Sequence, residues 1–274
     1  MRFKDLLSNI TKRNNSLVCV GLDSDIDKLP ENIRNGEHPQ YTFNKEIIDA
    51  TADLVCAYKP NTAFYEARGK AGIEALKLTC DYLKNKFSEI PIILDAKRGD
   101  IGNTNEGYNK FAFDYLGCDA ITLHPYLGKE SLKPFLDQKD KGIIILCRTS
   151  NPWAEEYQDL KFNGKPLYQI VAEHITNDWN YNGNCGLVVG ATYPDELEIV
   201  RHIVGELPIL IPGIGAQGGD IKKTVKVGVD DEGYNAIINS SRRIIFASKN
   251  KDFPEAARNE TIKLKNEINK YSKE

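Results

Sequence analysis

The segment "LDAKRGDI" (94–101) sets Asp95, Lys97, Arg98 and Asp100 immediately after the apolar run "IPII" (90–93). Asp95 and Lys97 are two residues apart, so an extended strand directs both to one face. Lys59, at the end of "LVCAYKP" (54–60), brings a second ammonium group from the preceding apolar run. The three make an ammonium–carboxylate–ammonium array, in which opposite charges about 4 Å apart attract by about 4 kcal/mol at an effective dielectric of about 20. Such an array suits acid–base catalysis, and it equally suits a structural salt-bridge network; these residues alone fit both.

A second cluster lies late in the chain, in "IPGIGAQGGD" (211–220) and "NSSRR" (239–243). Glycines let backbone N–H groups approach an anion, and a helix starting just after them adds its amino-terminal dipole. Pro212, Gly215 and Gln217 belong to this turn, and the Gln217 amide can donate to an anion. Arg242 or Arg243 supplies a guanidinium that can grip phosphate oxygens as a fork. An acid–base array beside a phosphate site fits a small phosphorylated metabolite.

Eight short apolar runs supply the elements that must hold these groups: 17–23, 54–60, 91–97, 119–125, 142–148, 186–191, 208–214 and 236–242. Each reads as continuously apolar, as strands of a parallel sheet buried on both faces do. Helical spacing of apolar residues appears between them, most clearly over 71–87, 106–116 and 167–179. Eight strand–helix units in 274 residues predict an α/β fold, a (β/α)8 TIM barrel forming a single domain over 1–274. A doubly wound open sheet is the competing arrangement. In a barrel the carboxyl ends of the strands converge on one mouth, which would gather Asp23, Lys59, Asp95, Lys97, His124, Ser150, the glycine-rich turn and Arg242. Two long connections, 24–44 and 149–166, follow the first and fifth runs, where binding segments and lids are built.

The formal net charge of −3 leaves no basic excess for nucleic acid or an anionic membrane. No apolar run approaches the ~20 residues that span a bilayer, and the first residues are amphipathic rather than signal-like, so a cytoplasmic protein is expected. The six cysteines include no C-x-x-C pair, and those beside the strand-like runs read as reduced core thiols.

"DAKRGDI", with "YKP" before it and "PGIGAQGGD" and "SSRRI" after it, resembles the orotidine 5'-phosphate decarboxylase family, specifically its longer bacterial type, type 2. The resemblance runs through all eight strands, from Asp23 to Arg242. It implies a cofactor-free lyase that converts orotidine 5'-phosphate to uridine 5'-phosphate, the last step of UMP synthesis. Lys97 then corresponds to the proton donor to pyrimidine C6, Asp95 to the carboxylate beside the substrate carboxylate, and Lys59 to its lysine partner. Asp100, with Ile101 and Thr104, corresponds to the group that reaches the neighbouring subunit's site in a homodimer. Asp23 matches a ribose contact, Ser150 a pyrimidine contact, and Gln217 and Arg242 phosphate ligands. His124 reads as a packed or supporting histidine, since Lys97 supplies the proton.

The chemistry implied is demanding: loss of CO2 leaves a carbanion at C6 with no adjacent carbonyl to delocalise it well, so an acceleration near ~10¹⁷-fold must come from preorganised charge. Three rivals are weighed. Metal-dependent relatives sharing D-x-K-x-x-D place an acidic metal ligand where this chain has Lys59. A phosphate-binding protein without catalysis would not need every charged member of the array. A dinucleotide fingerprint belongs after the first strand, not the seventh.

Overall fold

The computed structural model describes residues 1–214 and 220–273, and in it each of the eight apolar runs contains a strand. These are β1 Val18–Gly21, β2 Ala57–Lys59, β3 Ile93–Arg98, β4 Ala120–Leu123, β5 Gly142–Arg148, β6 Cys185–Val189, β7 Ile209–Pro212 and β8 Ala236–Ser240. All neighbours are parallel, and β1 lies between β2 and β8, from which β7, β6, β5, β4 and β3 follow in order. The bridges Tyr58↔Ile92 and Asn61↔Asp95 join β2 to β3 and close the ring, so the arrangement is a (β/α)8 barrel and not an open sheet.

Valine, isoleucine and leucine dominate the strands because both faces are covered: every residue of β1, β2, β4, β6 and β8 is buried. Outer helices present matching stripes. In Phe253–Tyr271 the buried residues Ala257, Thr261, Leu264 and Ile268 recur at spacings of four and three. Helix Phe3–Asn14 covers the amino-terminal end of the barrel, where Phe3 lies so close to Gly142 that a Cβ there would stand 2.3 Å from its ring. All six cysteines are free and buried. Among the described residues no helix is long and apolar enough to cross a membrane.

The helical expectations hold with shifted ends. Helix Gly69–Lys86 covers the segment expected at 71–87, and Gly102–Asn109 and Leu167–His174 each continue into a π-helical turn, Lys110–Tyr115 and Ile175–Trp179. The connection 24–44 is not wholly a loop, because Pro39 occupies the first turn of a helix, Pro39–Thr51. Its Phe43 stacks on Phe246 and Phe253, with ring centroids 5.7 and 4.9 Å apart, which ties this helix to the carboxyl-terminal one. The connection 149–166 holds a helical turn, Glu155–Gln158, and an antiparallel hairpin of Lys161–Phe162 with Lys165–Pro166. Asn163 and Gly164, at φ 50° and 80°, give that hairpin the mirror-type turn its twist favours.

Phe43 is fully buried, so Phe43→Ala is expected to lower the unfolding free energy by about 3–5 kcal/mol, measured by urea titration.

Candidate active site

At the carboxyl end of the barrel, β2 and β3 bring Lys59 and Lys97 onto opposite oxygens of one carboxylate. Lys59 Nζ lies 2.8 Å from Asp95 Oδ2, and Lys97 Nζ lies 2.6 Å from Asp95 Oδ1. Two neutral donors complete the shell: Asn61 Nδ2 donates to Oδ2 at 3.2 Å and Thr122 Oγ1 to Oδ1 at 3.0 Å. The two ammonium groups differ in exposure. The Lys59 side chain is 3 % exposed and that of Lys97 is 48 % exposed, so one cation is fixed in the wall and the other faces the mouth.

Lys97 does not reach this position by simple strand alternation, which corrects the expectation from its spacing. Its φ is 47°, in the left-handed region, and the pairing of β3 with β4 shifts register between Leu94 and Arg98. The residue turns out of the strand, its N–H donates to Thr122 Oγ1 at 3.0 Å, and its side chain bends back to Asp95.

Burial opposes ionisation of Asp95, but the Lys59 and Lys97 ammonium groups outweigh it and hold the carboxyl well below the usual carboxylate range. Burial likewise opposes charge on Lys59, and Asp95 and Asp23 more than offset it, raising its pKa above the usual lysine value. Both groups are therefore charged across the neutral range. Burial pushes the nearby Cys19 thiol up to about 12, with Lys59 pulling the other way, so Cys19 packs under the array as an inert thiol.

The other sequence-predicted residues fall around the same end. Asp23 follows β1, and its buried Oδ1 has no hydrogen-bond partner among the described residues, nor have Asn239 Oδ1 and Ser240 Oγ on adjacent β8. Ser150 follows β5 and packs against Gly190, where a Cβ would come within 2.6 Å of its own. Pro212 ends β7 and accepts from the Ala191 N–H. Gly215 and Gln217 lie outside the described residues. After them Asp220 caps helix Ile221–Gly228 by accepting from the Lys223 N–H.

Arg243 pairs with Glu260 at 3.3 Å, whereas among the described residues Arg242 makes no ion pair and is exposed. Asp100 does not join the array within this chain; it accepts from the Ile101 N–H, and its own N–H donates to Asn105. Ile101 is 64 % exposed, and Thr104 is exposed beside it. His124 packs against the Gly99 backbone, where a Cβ would meet its ring at 2.7 Å, which accords with a supporting role.

Sequence reasoning missed three contributors. Asn61 lies two residues beyond Lys59, a spacing that signalled a shared face. Thr122 sits within the apolar run of β4 and carried no signal of its own. Arg148, at the end of β5, is buried with its guanidinium 3.9 Å from the Tyr193 ring centroid, and bonds Gln158 and Asp159 at 3.2 and 3.3 Å. It anchors the base of the 149–166 connection to the barrel.

A family model described as orotidine 5'-phosphate decarboxylase / HUMPS family matches residues 16–257. The orotidine 5'-phosphate decarboxylase of Janthinobacterium sp. is 48% identical over 272 residues, covering 99% of each chain. That of Cupriavidus necator is 49% identical over 271 residues, again covering 99% of each. The structure of the Leishmania donovani OMP decarboxylase superposes with a TM-score of 0.87 at 38% identity, over 99% of both chains. The Leishmania donovani UMP synthase superposes with a TM-score of 0.85 at 39% identity, over 98% of this chain and 57% of that one.

Asp95→Asn leaves the Lys59 ammonium buried without its main counter-charge, at an expected cost of about 3–5 kcal/mol in unfolding free energy. Because the folded-state pKa of Asp95 is depressed, its contribution is complete above the unfolded carboxylate value and is lost progressively as pH falls from that value through the lower folded one. The gap between the parent and Asp95→Asn, followed by urea titration, is thus expected to stay constant from neutrality down to about pH 5 and to shrink below it. Lys97→Ala, at a half-exposed pair, is expected to cost less than about 1 kcal/mol in the same assay.

Proposed function

The chain belongs to the orotidine 5'-phosphate decarboxylase / HUMPS family, and we infer from its site that it decarboxylates orotidine 5'-phosphate to uridine 5'-phosphate, with Lys97 as the proton donor to C6. The observation that carries this reading is the one carboxylate, Asp95, held between a buried and a mouth-facing ammonium group. The C6–carboxylate bond breaks, its electron pair stays on C6 as CO2 leaves, and the Lys97 ammonium stabilises that charge and transfers its proton. Solvent then reprotonates the amine. Lys59 stays charged in the wall and keeps Asp95 ionised, so the field at C6 is in place before the bond breaks. Asp95 lies beside the substrate carboxylate.

The binding residues divide the substrate among themselves. Asp23 takes the ribose, its unpaired Oδ1 standing ready to accept from a hydroxyl. Ser150 contacts the pyrimidine, and Pro212, Gly215, Gln217 and Arg242 hold the phosphate. Arg242 rather than Arg243 fills that role because Glu260 engages the Arg243 guanidinium. No cofactor or metal takes part: an acidic ligand at the end of the second strand would be needed for a divalent ion, and Lys59 occupies that place.

Asp100, Ile101 and Thr104 complete the site of a neighbouring subunit in a homodimer. In support, Lys97 pairs with Asp95 while Asp100 bonds only to Ile101 and Asn105 among the described residues, and the Ile101 side chain is exposed beside it. The chain is read as one barrel domain over 1–274 of the longer bacterial type, acting in the cytoplasm on a small molecule, with neither nucleic acid nor membrane as a partner.

Purified protein in excess EDTA is expected to consume orotidine 5'-phosphate, followed by its absorbance, while Lys97→Ala loses more than about 10⁴-fold in kcat. Turnover only of a sugar phosphate with added Mg²⁺ would move the function to metal-dependent relatives. Mixing inactive Lys97→Ala and Asp100→Ala proteins is expected to restore part of the activity through hybrid dimers; no recovery despite measured subunit exchange would reject the shared site.

A further inference from the structure

Lys97 holds a left-handed backbone conformation, φ 47°, that a lysine adopts only when its surroundings impose it. The imposing contact is on the neighbouring strand. Thr122, fully buried on β4, accepts the Lys97 N–H at its Oγ1, 3.0 Å away. The same hydroxyl donates to Asp95 Oδ1 at 3.0 Å, the oxygen that also receives Lys97 Nζ. One β-branched side chain, stiff at χ1, therefore spans the backbone of Lys97 and the carboxylate that aims its ammonium group.

We propose that Thr122 is a positioning residue for the decarboxylation: its hydroxyl fixes the backbone turn at Lys97 and the rotation of the Asp95 carboxylate, and so places the Lys97 ammonium against C6. The proposal rests on the reading of Lys97 as proton donor. Only a hydroxyl meets the geometry, because the group must accept from one partner and donate to the other. Valine has the same shape and does neither. It leaves the Lys97 N–H unpaired and removes one of the four donors to Asp95, so the ammonium loses its fixed aim while the ribose and phosphate contacts remain.

The test compares parent, Thr122→Val and Thr122→Ser for kcat and KM on orotidine 5'-phosphate, and for the affinity of uridine 5'-phosphate, which lacks the reacting carboxylate. Parent turnover is measured first; its absence rejects the decarboxylase reading and this proposal with it. With parent turnover present, Thr122→Val is expected to lose about 10- to 100-fold in kcat, with KM and product affinity within about threefold. Thr122→Ser is expected to recover kcat to within about threefold of the parent. If Thr122→Val keeps the parent kcat, or if kcat and product affinity fall together, Thr122 has no positioning role and the decarboxylase reading stands. Should Thr122→Val fail to fold, Thr122→Ala removes the same hydroxyl with less bulk; equal kcat in Thr122→Ala and Thr122→Ser overturns the proposal.

Discussion

Burying the Lys59 ammonium at the end of β2 obliges the protein to set a carboxylate against it, and Asp95 meets that demand at 2.8 Å. An unpaired cation there would shed its proton, and an unpaired carboxylate would take one up, because each group alone is penalised by desolvation. Together they persist as charges, and the second oxygen of the carboxylate is left to orient Lys97. The pair also crosses the seam where the barrel closes, since Asn61 and Asp95 form one of the two bridges between β2 and β3. The charge that aims Lys97 is thus held by the same contact that completes the ring, and β2 and β3 cannot part without exposing it.

That economy explains which features were legible in the sequence. The eight strands were, because a barrel strand is buried on both faces and reads as an unbroken apolar run. Lys59 and Asp95 were, because a charge at the end of such a run has no packing role. The turn at Lys97 was not: spacing predicts alternation, whereas its left-handed φ comes from the hydroxyl of Thr122, twenty-five positions later in the chain. Arg148 was hidden for a related reason. An arginine closing an apolar run looks solvated, and its partners Gln158, Asp159 and Tyr193 become visible only when the connection folds back over the end of β5. The helix at Pro39–Thr51 was masked by its proline, asparagine and threonine content, and is held by the Phe43 stack instead of by intrinsic propensity.

Around this rigid centre Asp23, Ser150 and Arg242, the residues proposed to bind the substrate, lie just beyond β1, β5 and β8, as barrel folds allow. Arg148 pins the connection that carries Ser150 by pairing with Gln158 and Asp159, while the Thr149 N–H donates to the same Gln158 oxygen. Ser150 is therefore braced from its own loop and by contact with Gly190 after β6. Arg242 opens the helical turn Arg242–Ile245 just beyond β8. Under the proposed function this division separates roles: the charges of the array lie on strands, and the residues assigned to the unreactive parts of the substrate lie where the chain has length to adjust. Under the same proposal, binding of a remote phosphate contributes to orientation at C6 without disturbing the field there.

The same geometry bears on whether a divalent ion could be held at this site. A divalent ion requires several oxygen ligands, and the carboxylate at the end of β3 already accepts from four donors, two of them ammonium groups. An ion placed there would meet the fixed charge of Lys59 at the distance where Asp95 now neutralises it. A lysine at the end of β2 therefore does more than withhold a ligand. It makes Asp95 a counter-charge for the two lysines and leaves the Lys97 ammonium as the cation that faces the mouth. Enediolates of sugar phosphates are stabilised by an ion bridging two oxygens. A carbanion centred on a ring carbon offers no such pair of oxygens, and a cation that can also deliver a proton matches it better.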